Sequence, residues 1–132
     1  MRHLVDSDYL IDALVGAPAS VRVLERLSDE ALDGSIVSYG KIIEGAFGAP
    51  DPATRLEHFR TFLDRFAVVP LSGPIFEIFA RTREQLRDTG PLIPDLDLLI
   101  VATAVRHGVT LLTRNVRHSE RIPGLTLYRP NS

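Results

Sequence analysis

Short apolar runs alternate with longer amphipathic stretches along this chain, and glycines and prolines separate them. Leu4-Val5 reads as a short buried strand stopped by the polar triplet Asp6-Ser7-Asp8. Tyr9 to Val15 carries a helical pattern that Gly16 and Pro18 end. Ser20 is placed to cap a second helix through about Leu32, with Asp33-Gly34 as the turn that follows. Ile36-Val37 predicts the second strand. Ser38 is then the expected N-cap of a helix running to Phe47, closed by Gly48 and Pro50. Pro52 opens another helix ending near Arg65, before the strand Ala67-Val68-Val69.

In the second half, Ser72 or Gly73, with Pro74 just inside, opens a long helix through Arg87. Its Ile75, Phe79, Thr82 and Leu86 recur at helical spacing. Gly90-Pro91 and Pro94 bracket a loop, after which Asp95 is expected to cap a helix to His107, stopped by Gly108. Leu98 to Ala102, Ala104 and Val105 leave that helix little polar surface, so it should lie deep. Thr110 to Thr113 is the fourth strand. Asn115 is expected to cap a short helical turn, and Leu125 to Tyr128 forms an edge strand before a polar tail. Strands alternating with helices argue for an α/β fold, a parallel sheet of four to five strands covered on both faces.

Length and composition narrow this picture without redirecting it. The chain has 132 residues, which suits one domain over 1–132. There are no cysteines, which excludes disulfide scaffolds, thiolate zinc sites and thiol catalysis. A net charge of −2 excludes a strongly basic nucleic-acid coat. No apolar run reaches the ~18 residues that span a bilayer, and acids interrupt the N-terminus before a signal-peptide core forms. The expectation is a soluble, cytoplasmic protein with no membrane partner. Among its 15 Lys+Arg, Lys41 is the single lysine. Base composition is the favoured explanation of the arginine excess, and a preference for bidentate phosphate contacts is the functional alternative.

Candidate chemistry gathers where ligands bind in such sheets, beyond the carboxyl ends of the strands. Asp6 and Asp8 follow the first strand, Glu44 lies two turns into the helix after the second, and Asp97 sits in the first turn of the deep helix. Thr113 and Asn115 close the fourth strand. Taken singly, these acids read as turn and helix-terminus residues. Taken together, a convergence of Asp6, Glu44 and Asp97 requires a compensating charge or raised pKa values. Carboxylate oxygens without cysteine or a paired-histidine motif favour Mg2+ or Mn2+ over Zn2+, and phosphodiester hydrolysis is the reaction such a site suits. His3, His58 and His107 have no partner at metal-ligand spacing. Nucleotide, dinucleotide and serine-hydrolase motifs are absent.

Four blocks in order resemble the PIN domain, specifically VapC-type toxin ribonucleases. They are Leu4 to Ile11; Ser38 with Glu44 and Gly48; Pro94 to Ala104; and Leu111-Leu112-Thr113-Arg114-Asn115 continuing through Arg121 to Leu125. The resemblance implies a PIN-like three-layer α/β/α domain and a metal-dependent endoribonuclease, using Mg2+ with Mn2+ as an alternative. It also implies an RNA substrate, a small cognate antitoxin and a homodimer. By the same resemblance Asp6 and Asp97 match the metal-binding acids, Glu44 the third acid, and Asn115 the polar residue after the fourth strand.

Two departures stand out. His118 and Ser119 hold places where the family usually has an acid followed by Phe, and Lys41 stands where a small hydroxyl residue is common. A catalytically silent PIN-like binding domain is therefore the alternative. A phosphoacceptor receiver domain is disfavoured because the only lysine lies in an early helix. Arg114 and Arg117, beside the expected site, are the candidate RNA contacts. Phe59, Phe62 and Phe66 suit either the core or a dimer interface.

Overall fold

The computed structural model describes residues 2–129. Met1 and residues 130–132, where the polar tail was expected, lie outside the described residues. The elements run β1 (His3–Val5), α1 (Ser7–Leu14), α2 (Pro18–Arg26), β2 (Leu32–Ser35), α3 (Ile36–Phe47) and α4 (Pro52–Leu63). They continue as β3 (Ala67–Val69), α5 (Gly73–Leu86), α6 (Asp95–His107), β4 (Thr110–Leu112), α7 (Val116–Ser119) and β5 (Thr126–Leu127). The five strands form one parallel sheet in the order β3-β2-β1-β4-β5.

Alternation along the strands sorts side chains into two layers. Leu4 and Leu111 are register partners on one face, where they pack with Leu86 of α5 and Leu98, Ile100, Val101 and Ala104 of α6. Val5 and Leu112 are partners on the other, packed with Tyr9 and Leu10 of α1, Val23 of α2, Ile42 of α3 and Leu63 of α4. The result is the α/β/α arrangement expected. Phe59, Phe62 and Phe66 are half-buried against the second of these clusters, so packing accounts for them without an interface.

Helix α6 behaves as its composition predicts. Every residue from Leu98 to Ala104 is buried, and Gly108 ends the helix in the left-handed region at φ 64°. The Asp95 side chain is not its cap, however. Pro94 takes the N-cap position, and Asp95 pairs instead with Arg83 of α5.

The largest revision concerns the second strand and the helices beside it. Helix α2 starts at Pro18 with Ala17 as N-cap, so Ser20 does not cap it, and it ends at Arg26 rather than near Leu32. Leu32-Asp33-Gly34-Ser35 is the strand, paired with β1 through Leu4↔Asp33 and Val5↔Gly34, and Asp33-Gly34 is not a turn. Ile36-Val37 is the first turn of α3. The Ser35 hydroxyl accepts from the Val37 N–H at 3.0 Å and so caps the helix, which Ser38 does not. The β-branched pair suggested a strand, but a cap one residue earlier commits the backbone to helix.

Candidate active site

The chain runs outward from β1 through β2 to β3, then returns to lay β4 on the other side of β1. The carboxyl ends of β1 and β4 are therefore the switch point where open α/β sheets form their ligand crevice. Asp6, Ser7 and Asp8 follow β1 there, and Thr113 and Asn115 follow β4. Together with Ile11, Lys41 of α3 and Asp97 of α6, the residues Asp6, Ser7, Asp8 and Asn115 line an open pocket of about 280 Å³.

Asp6 is the buried centre of this group. It is the N-cap of α1, accepting from the Ser7 N–H at 2.7 Å, while its second oxygen accepts from the Thr113 hydroxyl at 2.8 Å. Burial, with Asp8 and then Asp97 adding repulsion, pushes its pKa up to about 6 against the hydrogen bonds that oppose the rise. Asp8 accepts from the backbone N–H of Tyr9 at 2.6 Å and of Arg114 at 3.0 Å. Its carboxyl is also raised, by burial above all. Thr113 thus stands between two carboxylates, and its oxygen in turn accepts from the Asn115 N–H at 3.1 Å.

Asp97 faces a cation rather than a third acid. Lys41 Nζ donates to Asp97 Oδ1 at 2.9 Å. Glu44, expected here, is exposed and does not line the pocket. Helix α3 buries Ser38, Ile42 and Ala46. At about 100° per residue, Glu44 lies about 160° round from Ile42 and Lys41 about 100°. Its apolar helix neighbours do not draw Glu44 inward, since Phe47 is itself 62% exposed. Lys41 stands out in the sequence as the single lysine and a departure from the family's pattern, but its contact with Asp97 was not expected. Its uniqueness in an arginine-rich chain and its place one turn before Glu44 were the available signals.

The remaining candidates sit around the rim. Asn115 precedes α7, and its side-chain amide lies 3.1 Å from His118 Nδ1, which orients both side chains. His118 is exposed and does not line the pocket. The Arg114 guanidinium turns away to pair with Asp12 of α1. Arg117 is exposed on α7. The donor set of the pocket is all oxygen, which suits a hard cation, and Mg2+ in particular is commonly held by one or two carboxylates plus water. Asp6 and Asp97 meet that requirement. A cage of three acids is not formed: among the described residues, no three of His, Cys, Asp and Glu are grouped to hold one ion.

Comparison with known proteins identifies the family. A family model described as PIN domain matches residues 3–123. Ribonuclease VapC1 of Methanocaldococcus jannaschii is 32% identical over 95% of this chain and 85% of its own. The tRNA(fMet)-specific endonuclease VapC of Shigella flexneri is 26% identical over 95% of both. Among solved structures, VapBC2 from Rickettsia felis bound to a promoter DNA fragment superposes with a TM-score of 0.88, at 22% identity over 97% of this chain and 98% of that one. At that identity the likeness speaks for the fold.

Proposed function

This chain belongs to the PIN-domain family, and from that premise we propose that it is an endoribonuclease, the toxin of a toxin–antitoxin pair acting in the cytoplasm. The observation that carries the proposal is the meeting of Asp6, from the end of β1, and Asp97, from the first turn of α6, in one open pocket at the sheet's switch point. An open acidic crevice admits an extended polymer and presents its carboxylates to a phosphodiester.

The family in general depends on a divalent ion. Asp6 and Asp97 are the residues that would hold it, with Mg2+ or Mn2+ as the ion. When bound, it supplies Lewis-acid polarisation of the phosphodiester. The protein's own groups do the rest. Thr113 fixes the Asp6 and Asp8 carboxylates by hydrogen bonds, so neither is free to rotate away. Burial and the neighbouring acids hold the ion-free Asp6 carboxyl up to about 6, and a bound cation would relieve that strain by favouring its charged form. Asn115 offers an amide donor at the pocket wall. Glu44 has no place in this scheme. Acids repel RNA, so cations must hold its phosphates: Arg117 is free to do so on α7, whereas Arg114 must first leave Asp12.

Similar solved structures include a toxin–antitoxin complex from Klebsiella pneumoniae and a member of the VapBC family of toxin–antitoxin systems from Mycobacterium tuberculosis, and the partner proposed here is a small antitoxin that lays an arginine toward Asp6 and Asp97. A homodimer is the proposed assembly of the toxin. Asp6→Asn or Asp97→Asn is expected to abolish RNA cleavage in vitro and growth arrest on expression, with the circular dichroism spectrum unchanged. Wild-type cleavage by either variant would remove that residue from the site. Failure of a neighbouring gene's product to bind the protein or relieve growth arrest would count against the toxin role.

One observation favours a second reading, a catalytically silent PIN-like binding domain. The Lys41–Asp97 pair neutralises half of the proposed donor pair. Absence of metal-dependent cleavage by the wild type, with RNA binding retained, would select it.

A further inference from the structure

Lys41 supplies the only ammonium group among the side chains lining the acid pocket. Its Nζ sits 2.9 Å from Asp97 Oδ1, and both side chains remain about a third exposed, at 32% and 30%. Resting on the ribonuclease reading only for the kind of ion, we propose that Lys41 is a tethered counter-ion that competes with a divalent metal for Asp97. The protein's metal affinity is therefore set low by a residue of its own chain.

The physical case has three parts. A pocket that gathers Asp6, Asp8 and Asp97 needs positive charge, and the ammonium already provides it at contact distance. An ion entering beside Asp97 meets a like charge and must share or take an oxygen that Lys41 now holds. Lysine is a point charge on a flexible stem, unlike the planar guanidinium that supplies every other cationic side chain of the Lys/Arg set. With its exposed path to solvent, the ammonium can swing out rather than seal the site. Competition, not blockage, is the consequence. The next acid on the helix, Glu44, lies about 60° round from Lys41 but is exposed and does not line the pocket, so it does not restore the lost donor.

The test uses Mn2+ alone, titrated into the full chain after chelator treatment, with free Mn2+ read by electron paramagnetic resonance. Lys41→Met keeps the stem and removes the charge, and should tighten binding on the order of tenfold, the scale of one adjacent cation on an ionic equilibrium in a half-exposed site. Lys41→Glu adds a carboxylate facing Asp97 and should tighten it further. Asp97→Asn in the Lys41→Met background should cancel the gain. Equal Mn2+ affinity in wild type and Lys41→Met overturns the proposal, whether or not Lys41→Glu folds. Cleavage of RNA, measured on the same samples, separates the two readings. A gain of Mn2+ affinity in Lys41→Met, with no cleavage by the wild type or any variant, keeps the counter-ion and removes the ribonuclease. A wild type that cleaves, with Mn2+ binding indifferent to Lys41, does the reverse.

Discussion

Asp6 is buried, accepts hydrogen bonds from Ser7 and Thr113, and stands near two further acids. Those demands conflict, and the conflict is measurable without any metal. Its folded pKa of about 6 lies above the ordinary 3.8, so the fold favours the protonated carboxyl. The stability this gives is fully present below about pH 4 and is lost as pH rises through about 6. Asp6→Asn, which keeps an acceptor for the Ser7 N–H, should raise the thermal midpoint of chelated protein at pH 7.5, by up to about 2–3 kcal/mol of stability. At pH 4 the gain should vanish. A gain equally large at both values would show that charge burial is not its cause. At the same scale, Asp6 and Asp97 were legible because each directly adjoins an element whose burial the apolar pattern reveals. Lys41 and Glu44 were not, because telling them apart requires the phase of α3, and a lysine read as a departure from a motif gives no hint that it reaches an acid.

That phase was lost at one short stretch, Leu32 to Ser38. Leu32-Asp33-Gly34-Ser35 carries little strand propensity, yet it lies between β1 and β3, where ladder pairing on both sides decides the outcome. Ile36-Val37 has the propensity and is helical. Elements with their own punctuation were read to within a residue or two: α5 behind Ser72 and Pro74, α6 before Gly108, and β3 before Pro70. The two serines give a direct check on α3. Ser35 caps it, so Ser35→Ala should cost about 1 kcal/mol or more in urea unfolding. The Ser38 hydroxyl is fully buried with no hydrogen-bond partner, so Ser38→Ala should be neutral or stabilising by up to about 1 kcal/mol. Opposite results would restore Ser38 as the cap and rotate Lys41 out of the pocket.

The two layers of helices meet across a sheet of short strands and where Lys41 of α3 reaches Asp97 of α6, and the pocket draws on both. Asp97 belongs to α6, in the layer packed on Leu4 and Leu111, while Asp8 and Lys41 belong to α1 and α3, whose Leu10 and Ile42 pack on Val5 and Leu112. The acids can therefore converge only while both layers are docked, and the site's integrity depends on the cooperativity of the whole molecule. The chain carries its own reporters for this. It has no tryptophan, and its three tyrosines, Tyr9, Tyr39 and Tyr128, all contact the second cluster. Ile100 is fully buried in the first, one turn of α6 beyond Asp97. Ile100→Ala should cost roughly 2–5 kcal/mol, through lost burial and the cavity it leaves. If the sheet couples the layers, tyrosine fluorescence and far-ultraviolet circular dichroism will report one shared midpoint in urea, lowered equally by a substitution that touches no tyrosine, with the slope unchanged. A tyrosine transition that stays at the wild-type midpoint while the dichroism shifts would show the layers melting separately. The pocket would then be lost with α6 alone, while the Asp6–Thr113 hydrogen bond at the ends of β1 and β4 could outlast it.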